Sequence, residues 1–274
     1  MPPGNRRASD SGASPTQSIG LALGGGAARG FAHIGILQEL AQAGITIDYV
    51  AGTSAGALVG ALYASGVAPE QMAALAGKLT WPNLVSMRPT RRSLVSGNGL
   101  LAFLETQCRV KRFEVLEIPL AVVVSSLETG ASVSITTGDL FPAVLASCSI
   151  PLLFPPVALD GHEYMDGGFA AVIPVSAVRA LGADLVIACD VNYNADLQRL
   201  QPTNFFSMLM KLMFLTAFKN CQEAKAQADV TISMDAHGIG VTALGQASEL
   251  IARGRQATAA CLPALCAKIQ SREA

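Results

Sequence analysis

Residues 45–60 read Ile-Thr-Ile-Asp-Tyr-Val-Ala-Gly-Thr-Ser-Ala-Gly-Ala-Leu-Val-Gly. Ile45–Ala51 has the apolar, β-branched make-up of a short buried strand, and the alanine-rich run after Ala55 reads as a helix ending near Ser65-Gly66. Between them stands Gly52-Thr53-Ser54-Ala55-Gly56, a G-x-S-x-G sequence at a strand-to-helix turn. Such a turn strains the backbone and projects the serine hydroxyl, while the small neighbours keep the space around it open. The start of the following helix adds positive potential for a developing anion. Ser54 is therefore the candidate nucleophile, with Gly52 and Gly56 as its supporting residues.

Outward from this unit, strand and helix signals alternate. Ile19–Leu23 reads as a buried strand, followed by Gly24-Gly25-Gly26-Ala27-Ala28-Arg29-Gly30 and a helix through roughly Gln42 that Gly44 stops. Thr80–Asn98 reads as a long irregular connection. Hairpins are expected at Leu120–Thr136 and at Pro156–Met165, the latter turning at Asp160-Gly161. Ala183–Cys189 reads as a strand, about 204–228 as a helix, Val230–Met234 as a strand, and Leu244 to near Ala260 as the last helix. This alternation predicts a largely parallel sheet covered by helices. One domain over 19–274 is expected, after a polar, flexible tail at 1–18.

Composition narrows the function classes. The chain has 274 residues, 51% apolar and 14% charged, with a net charge of −1. That excludes a disordered chain or a coiled coil and provides no overall electrostatic reason to bind nucleic acid. The apolar stretches Tyr49–Pro69 and Leu140–Leu159 are broken by glycines and prolines, so neither reads as a membrane span. Six cysteines without C-x-x-C spacing suggest reduced thiols and no metal. A cytoplasmic location is expected, with peripheral contact at the inner membrane face left open.

The Gly24–Gly30 loop lacks both G-x-G-x-x-G spacing and G-K-[ST], which argues against a nucleotide site. Parallel strands place it on the same sheet edge as Ser54, where its backbone N–H groups can serve as an oxyanion hole. Of the three histidines, His33 reads as packed on the first helix. His162 belongs to the other end of its hairpin, and His237 could complete a Ser–Asp–His order. Asp166, in Met165-Asp166-Gly167-Gly168, is the better candidate base, with Gly167 and Gly168 allowing close backbone approach.

GGGAARG, GTSAG and MDGG in this order, with Ser147–Pro156 (S-x-x-x-P-x-x-F-x-P) and Gly182–Val191, resemble the patatin-like phospholipases. The likeness is to the small bacterial members and the neuropathy-target-esterase type of catalytic domain. It implies a three-layer α/β/α fold, a Ser54–Asp166 dyad acting on lipid esters through an acyl-enzyme, and no cofactor. It also implies an oxyanion held by Gly24, Gly25, Gly26 and Ala27. Ala27 stands where the family often has glycine, so a positive φ there would carry strain. Arg29 matches the family's basic residue, to be read as a loop brace, a phosphate contact or an exposed first-turn arginine. An acyltransferase or a regulatory adaptor without turnover would keep the same residues.

Two surfaces extend this expectation to substrate. The apolar run Phe205–Phe218 reads either as a core helix or as one that packs one face on the sheet and turns the other to an acyl groove, a membrane or a second copy. Arg88, Arg91, Arg92, Arg109, Lys111 and Arg112 read as an ordinary solvated surface or, alternatively, as a docking patch for anionic headgroups.

Overall fold

The computed structural model describes residues 17–194 and 205–273. The expected tail lies outside these residues up to position 16. Its last residue, Ser18, is held by Asp184, whose Oδ2 accepts from the Ser18 amide at 3.0 Å and hydroxyl at 2.7 Å.

The strands are β1 (Ile19–Leu23), β2 (Tyr49–Thr53), β3 (Ser86–Met87), β4 (Val95–Ser96), β5 (Leu120–Ser126), β6 (Ser132–Ile135), β7 (Val157–Leu159), β8 (His162–Asp166), β9 (Leu185–Tyr193) and β10 (Val230–Asp235). The helices are α1 (Phe31–Gln42), α2 (Ala55–Ala64), α3 (Pro69–Ala76), α4 (Trp81–Leu84), α5 (Asn98–Gln107), α6 (Leu140–Ser147), α7 (Val175–Ala180), α8 (Phe205–Gln227) and α9 (Ala247–Glu273). The main sheet runs β10-β9-β1-β2-β5-β8-β7, with β6 also paired to β5. Strands β10, β9, β1, β2 and β5 are parallel neighbours, and β6, β7 and β8 join antiparallel.

Both faces of this sheet are covered, which is why its central strands are apolar at nearly every position. Leu21, Leu23, Val50, Leu120, Val122 and Ile187 point into the larger core, which α1, α2, α3, α6 and α9 help to close. The alternate positions Ala22, Ala51, Ala121, Val186 and Ala188 point to the opposite face, packed by α7 and the C-terminal part of α8. This is a three-layer α/β/α arrangement with a mostly parallel sheet.

Some boundaries differ from the expected ones. The β7–β8 hairpin turns at Asp160 and Gly161, both with positive φ (50° and 84°), as a two-residue turn requires. The connection after Thr80 carries a short helix and the β3–β4 ribbon. Helix α9 runs through Pro263 to Glu273, because proline removes one internal hydrogen bond without ending a helix that packs along α1 and β10. Strand β9 continues past Cys189 to Tyr193, although Asp190 and Asn192 are poor strand formers, because its ladder with β10 runs on through Asp190 and Tyr193 after the pairing with β1 has ended at Cys189.

Candidate active site

Ser54 occupies the turn from β2 into α2 with φ 53° and ψ −121°. A residue with a side chain held there costs on the order of 1–3 kcal/mol, so the surroundings must fix it. They do so at a distance in sequence. The Ser54 amide donates to Ser147 Oγ at 2.8 Å, and the Ser147 hydroxyl passes its own hydrogen to the Val123 carbonyl at 2.6 Å. Ser147 is fully buried at the end of α6, and its only sequence signal was membership of the Ser147–Pro156 block.

Antiparallel pairing of β8 with β5, which itself lies beside β2, brings Asp166 to Ser54 through the register Val124↔Asp166. Ser54 Oγ donates to Asp166 Oδ2 at 2.7 Å, and Gly168 N–H donates to Oδ1 at 2.8 Å. The Asp166 amide bonds Ser149 O at 3.0 Å, and its carbonyl accepts from Ser125 Oγ at 2.9 Å. A side chain at Gly167 would run into the Val123 carbonyl, so glycine lets the chain turn tightly behind the carboxylate. Burial pushes the Asp166 carboxyl up to about 6, against the pull of its Ser54 and Gly168 hydrogen bonds. At neutral pH the group is thus a carboxylate of raised basicity touching a serine hydroxyl. The Cys148 thiol beside them is pushed up by burial and by the Asp166 charge, which keeps it protonated and removes it as a competing nucleophile.

The glycine loop follows β1 and lies against this pair: a Cβ on Gly25 would stand 3.4 Å from Ser54 Cβ. Here the structure narrows the expected oxyanion donors. Gly24 N–H is spent on Cys189 O at 3.1 Å and Gly25 N–H on Val172 O at 3.0 Å, so these residues shape the loop and have no amide to offer. Gly26 and Ala27 N–H meet no acceptor among the described residues. Ala27 has φ 49°, the strained condition foreseen for an alanine at this position. Ala27→Gly is expected to raise the thermal midpoint, with a gain of about 1 kcal/mol after the entropy of the added glycine is discounted. An unchanged or lower midpoint in thermal unfolding would contradict that.

Arg29 is not an exposed first-turn arginine. It is buried, its Nε and a terminal nitrogen donating to Ile239 O at 3.0 and 2.6 Å and the other terminal nitrogen to Asn192 Oδ1 at 3.0 Å. His33 is fully buried, with Nε2 2.7 Å from Gly24 O. A carbonyl only accepts, so Nε2 carries the hydrogen and the ring pins the loop. Burial draws its pKa down to about 4, leaving it neutral at pH 7.

The other histidines stand elsewhere. His162 Nδ1 lies 3.1 Å from both carboxylate oxygens of Glu128. His237 follows edge strand β10, three strands from β2, or about 14 Å across the sheet. There it lines a cavity of about 420 Å³ with Asp235, Arg253 and Gln256. The basic patch is partly neutralised: Arg92 makes a two-pronged 2.8 Å contact with Glu163, and Arg112 meets Glu114 and Asp139. Most side chains of the Phe205–Phe218 run lie outside the described residues. Met208, Leu212 and Leu215 are exposed at helical spacing on one stripe.

Comparison with known proteins accords with this arrangement. Residues 21–179 match the family model for patatin-like phospholipase. Patatin-like phospholipase domain-containing protein 7 of Rattus norvegicus is 36% identical over 183 residues, covering 64% of this chain and 14% of that protein. An uncharacterized NTE family protein of Mycobacterium bovis is 35% identical over 188 residues, covering 65% of this chain and 50% of that protein. The chain thus spans half or less of the length of these relatives. The crystal structure of VipD from Legionella pneumophila superposes with a TM-score of 0.52 at 15% identity, over 92% of this chain and 68% of that one, a likeness of fold. Among the described residues no helix is long and apolar enough to cross a membrane.

Proposed function

Since the chain belongs to the patatin-like phospholipase family, we propose that it is a serine acyl hydrolase that cleaves carboxylic esters of lipids, phospholipid or lysophospholipid, with Ser54 and Asp166. The observation that carries this reading is the 2.7 Å hydrogen bond from the strained Ser54 hydroxyl to a buried carboxylate. Asp166 takes the hydroxyl proton as Ser54 Oγ attacks the ester carbonyl. The carbonyl oxygen, now an anion, is received by the open amides of Gly26 and Ala27. The tetrahedral intermediate collapses, the alcohol leaves with the proton held by Asp166, and an acyl-Ser54 ester remains. Asp166 then draws a proton from water, and the second addition and collapse release the fatty acid and restore Ser54.

Two features support a lipid substrate. The family is one of phospholipases, and α8, with its exposed Met208–Leu212–Leu215 stripe, packs against the Gly167–Phe169 turn that follows Asp166. A peripheral contact with a lipid surface fits that stripe.

The test is hydrolysis of medium-chain p-nitrophenyl esters and of lysophosphatidylcholine by the purified 274-residue chain beside Ser54→Ala, with folding followed by circular dichroism. Turnover by the wild type and a loss of at least about 10³-fold in the folded variant are expected. A folded Ser54→Ala protein that still turns over at the wild-type rate would remove Ser54 from the mechanism.

A further inference from the structure

Gly25 is buried, and its carbonyl meets no main-chain donor among the described residues. It accepts from the side-chain amide of Asn192, Nδ2 to O, at 2.6 Å. Asn192 stands near the end of β9, beyond the stretch matched by the family model, and is itself held from three directions. Its Oδ1 accepts from Arg29 at 3.0 Å, which fixes the amide orientation, because a guanidinium only donates and the Gly25 carbonyl only accepts. Its backbone N–H donates to Asp190 Oδ1 at 2.9 Å, and Asp190 Oδ2 is paired with Lys225 of α8 at 2.8 Å. Asp190 is buried and Lys225 half-buried, so the pair is shielded from water.

The consequence lies one atom further along the chain. In a trans peptide the C=O and the next N–H point in opposite directions, so fixing Gly25 O also fixes Gly26 N–H. Gly26 N–H is one of the loop amides without an acceptor among the described residues. With Gly25 packed against Ser54, rotating this peptide plane would turn the donor out of place without moving the glycine itself. The loop has other restraints, but among the described residues none bonds to this plane: His33 holds Gly24 O, Cys189 and Val172 hold the Gly24 and Gly25 amides, and the Arg29 N–H holds Gly26 O in the next peptide at 3.0 Å.

We infer that Asn192 is a positioning residue, which orients the Gly25–Gly26 peptide so that Gly26 N–H is held ready for the oxyanion. The inference rests on the acyl-hydrolase reading above and adds a residue on which its rate depends. Asn192 touches no substrate and acts through the peptide it holds.

Asn192→Asp preserves shape and the contact with Arg29 but replaces the donor facing Gly25 O with an acceptor. Asn192→Leu removes the donor without adding charge and serves if the aspartate variant fails to fold. In either, kcat for a p-nitrophenyl ester is expected to fall about 10²-fold with KM within about threefold of wild type, the pattern for a lost oxyanion donor. Amide exchange of the segment 24–30, followed by mass spectrometry, is expected to speed up at least about tenfold as the loop loosens.

A kcat within threefold of wild type in a folded variant overturns the inference. So does a loss confined to KM, or a fall in kcat with loop exchange unchanged, since the cause then lies elsewhere. The fate of the underlying reading is seen separately. A wild type no faster than Ser54→Ala overturns the acyl-hydrolase reading and this inference with it. An active wild type with undiminished Asn192 variants overturns this inference alone.

Discussion

Replacing Asp166 with asparagine is expected to lower ester turnover by about 10³–10⁴-fold and, above pH 6, to make the protein more stable. The first effect follows from removing the carboxylate that contacts Ser54 Oγ and is proposed as its base. The second follows from what the wild type bears to keep that base. The carboxyl has an ordinary value of 3.8 and is pushed up to about 6 in the folded chain, chiefly by burial. The folded state therefore binds the proton more tightly than the unfolded one. The resulting stabilisation is complete below pH 3.8 and is lost as pH rises through about 6. A shift of that size corresponds to no more than about 3 kcal/mol. Asparagine does not ionise and escapes the loss. Denaturant unfolding at several pH values should show the variant's advantage growing from near zero at pH 4 to a plateau above pH 6.

The same group should set the wild-type activity profile. On the proposed mechanism Asp166 works only as the carboxylate, so kcat/KM should rise with pH to a plateau above about 6. If the variant showed no stability gain above pH 6, the carboxylate would not be carrying the burial cost that raises its basicity.

Gly56→Ala should be among the most disruptive single substitutions away from the reacting atoms. Gly56 lies in the first turn of α2, where that helix crosses the end of β1. An added Cβ would stand 2.6 Å from the Leu23 carbonyl carbon and 2.8 Å from Gly24 O. These are backbone atoms at the entrance to the glycine loop and cannot swing aside as a side-chain tip could. Relief requires α2 to move away from the sheet or the loop to shift, and either displaces Ser54 from Asp166 or from the open amides. A loss of about 3 kcal/mol is expected, with activity falling further than the folded fraction. Gly77→Ala is the control. Gly77 has φ −65°, and a Cβ added there would meet nothing within 4 Å, so alanine should be neutral or slightly stabilising. Equal effects at the two positions would show that loss of backbone freedom, and not close approach, governs Gly56.

Much of the site was legible because its signals are local. A serine flanked by glycines at a strand-to-helix switch specifies a turn whatever the rest of the chain does. The Asp160-Gly161 turn likewise marked the hairpin that presents Asp166. Alternating apolar runs and glycine stops located most of the strands and helices. The resemblance marked Ala27 as a place where glycine is usual and a positive φ would carry strain, and it has φ 49°.

The supporting contacts were not legible, because they join residues far apart. Ser147 serves Ser54 across 93 positions, Arg29 meets Asn192 across 163, and Asn192 meets Gly25 across 167. No motif assigns Asn192 a role: the resembling stretch Gly182–Val191 stops just before it, and the apolar strand was expected to stop at Cys189. The glycine loop illustrates the same division. Its composition announced four candidate amides, yet two are spent on Val172 and Cys189, carbonyls brought there by the packing of β1 against β9 and the turn after Asp166.

By itself, then, the sequence determined the backbone types, the order of elements and the chemical groups available, since these follow from residue size, periodicity and the conformations each residue tolerates. The tertiary structure alone decided which groups meet, which amides remain open and which carboxylate becomes a stronger base. Those outcomes depend on strand register and exclusion of water, properties of the assembled sheet and its two covering layers.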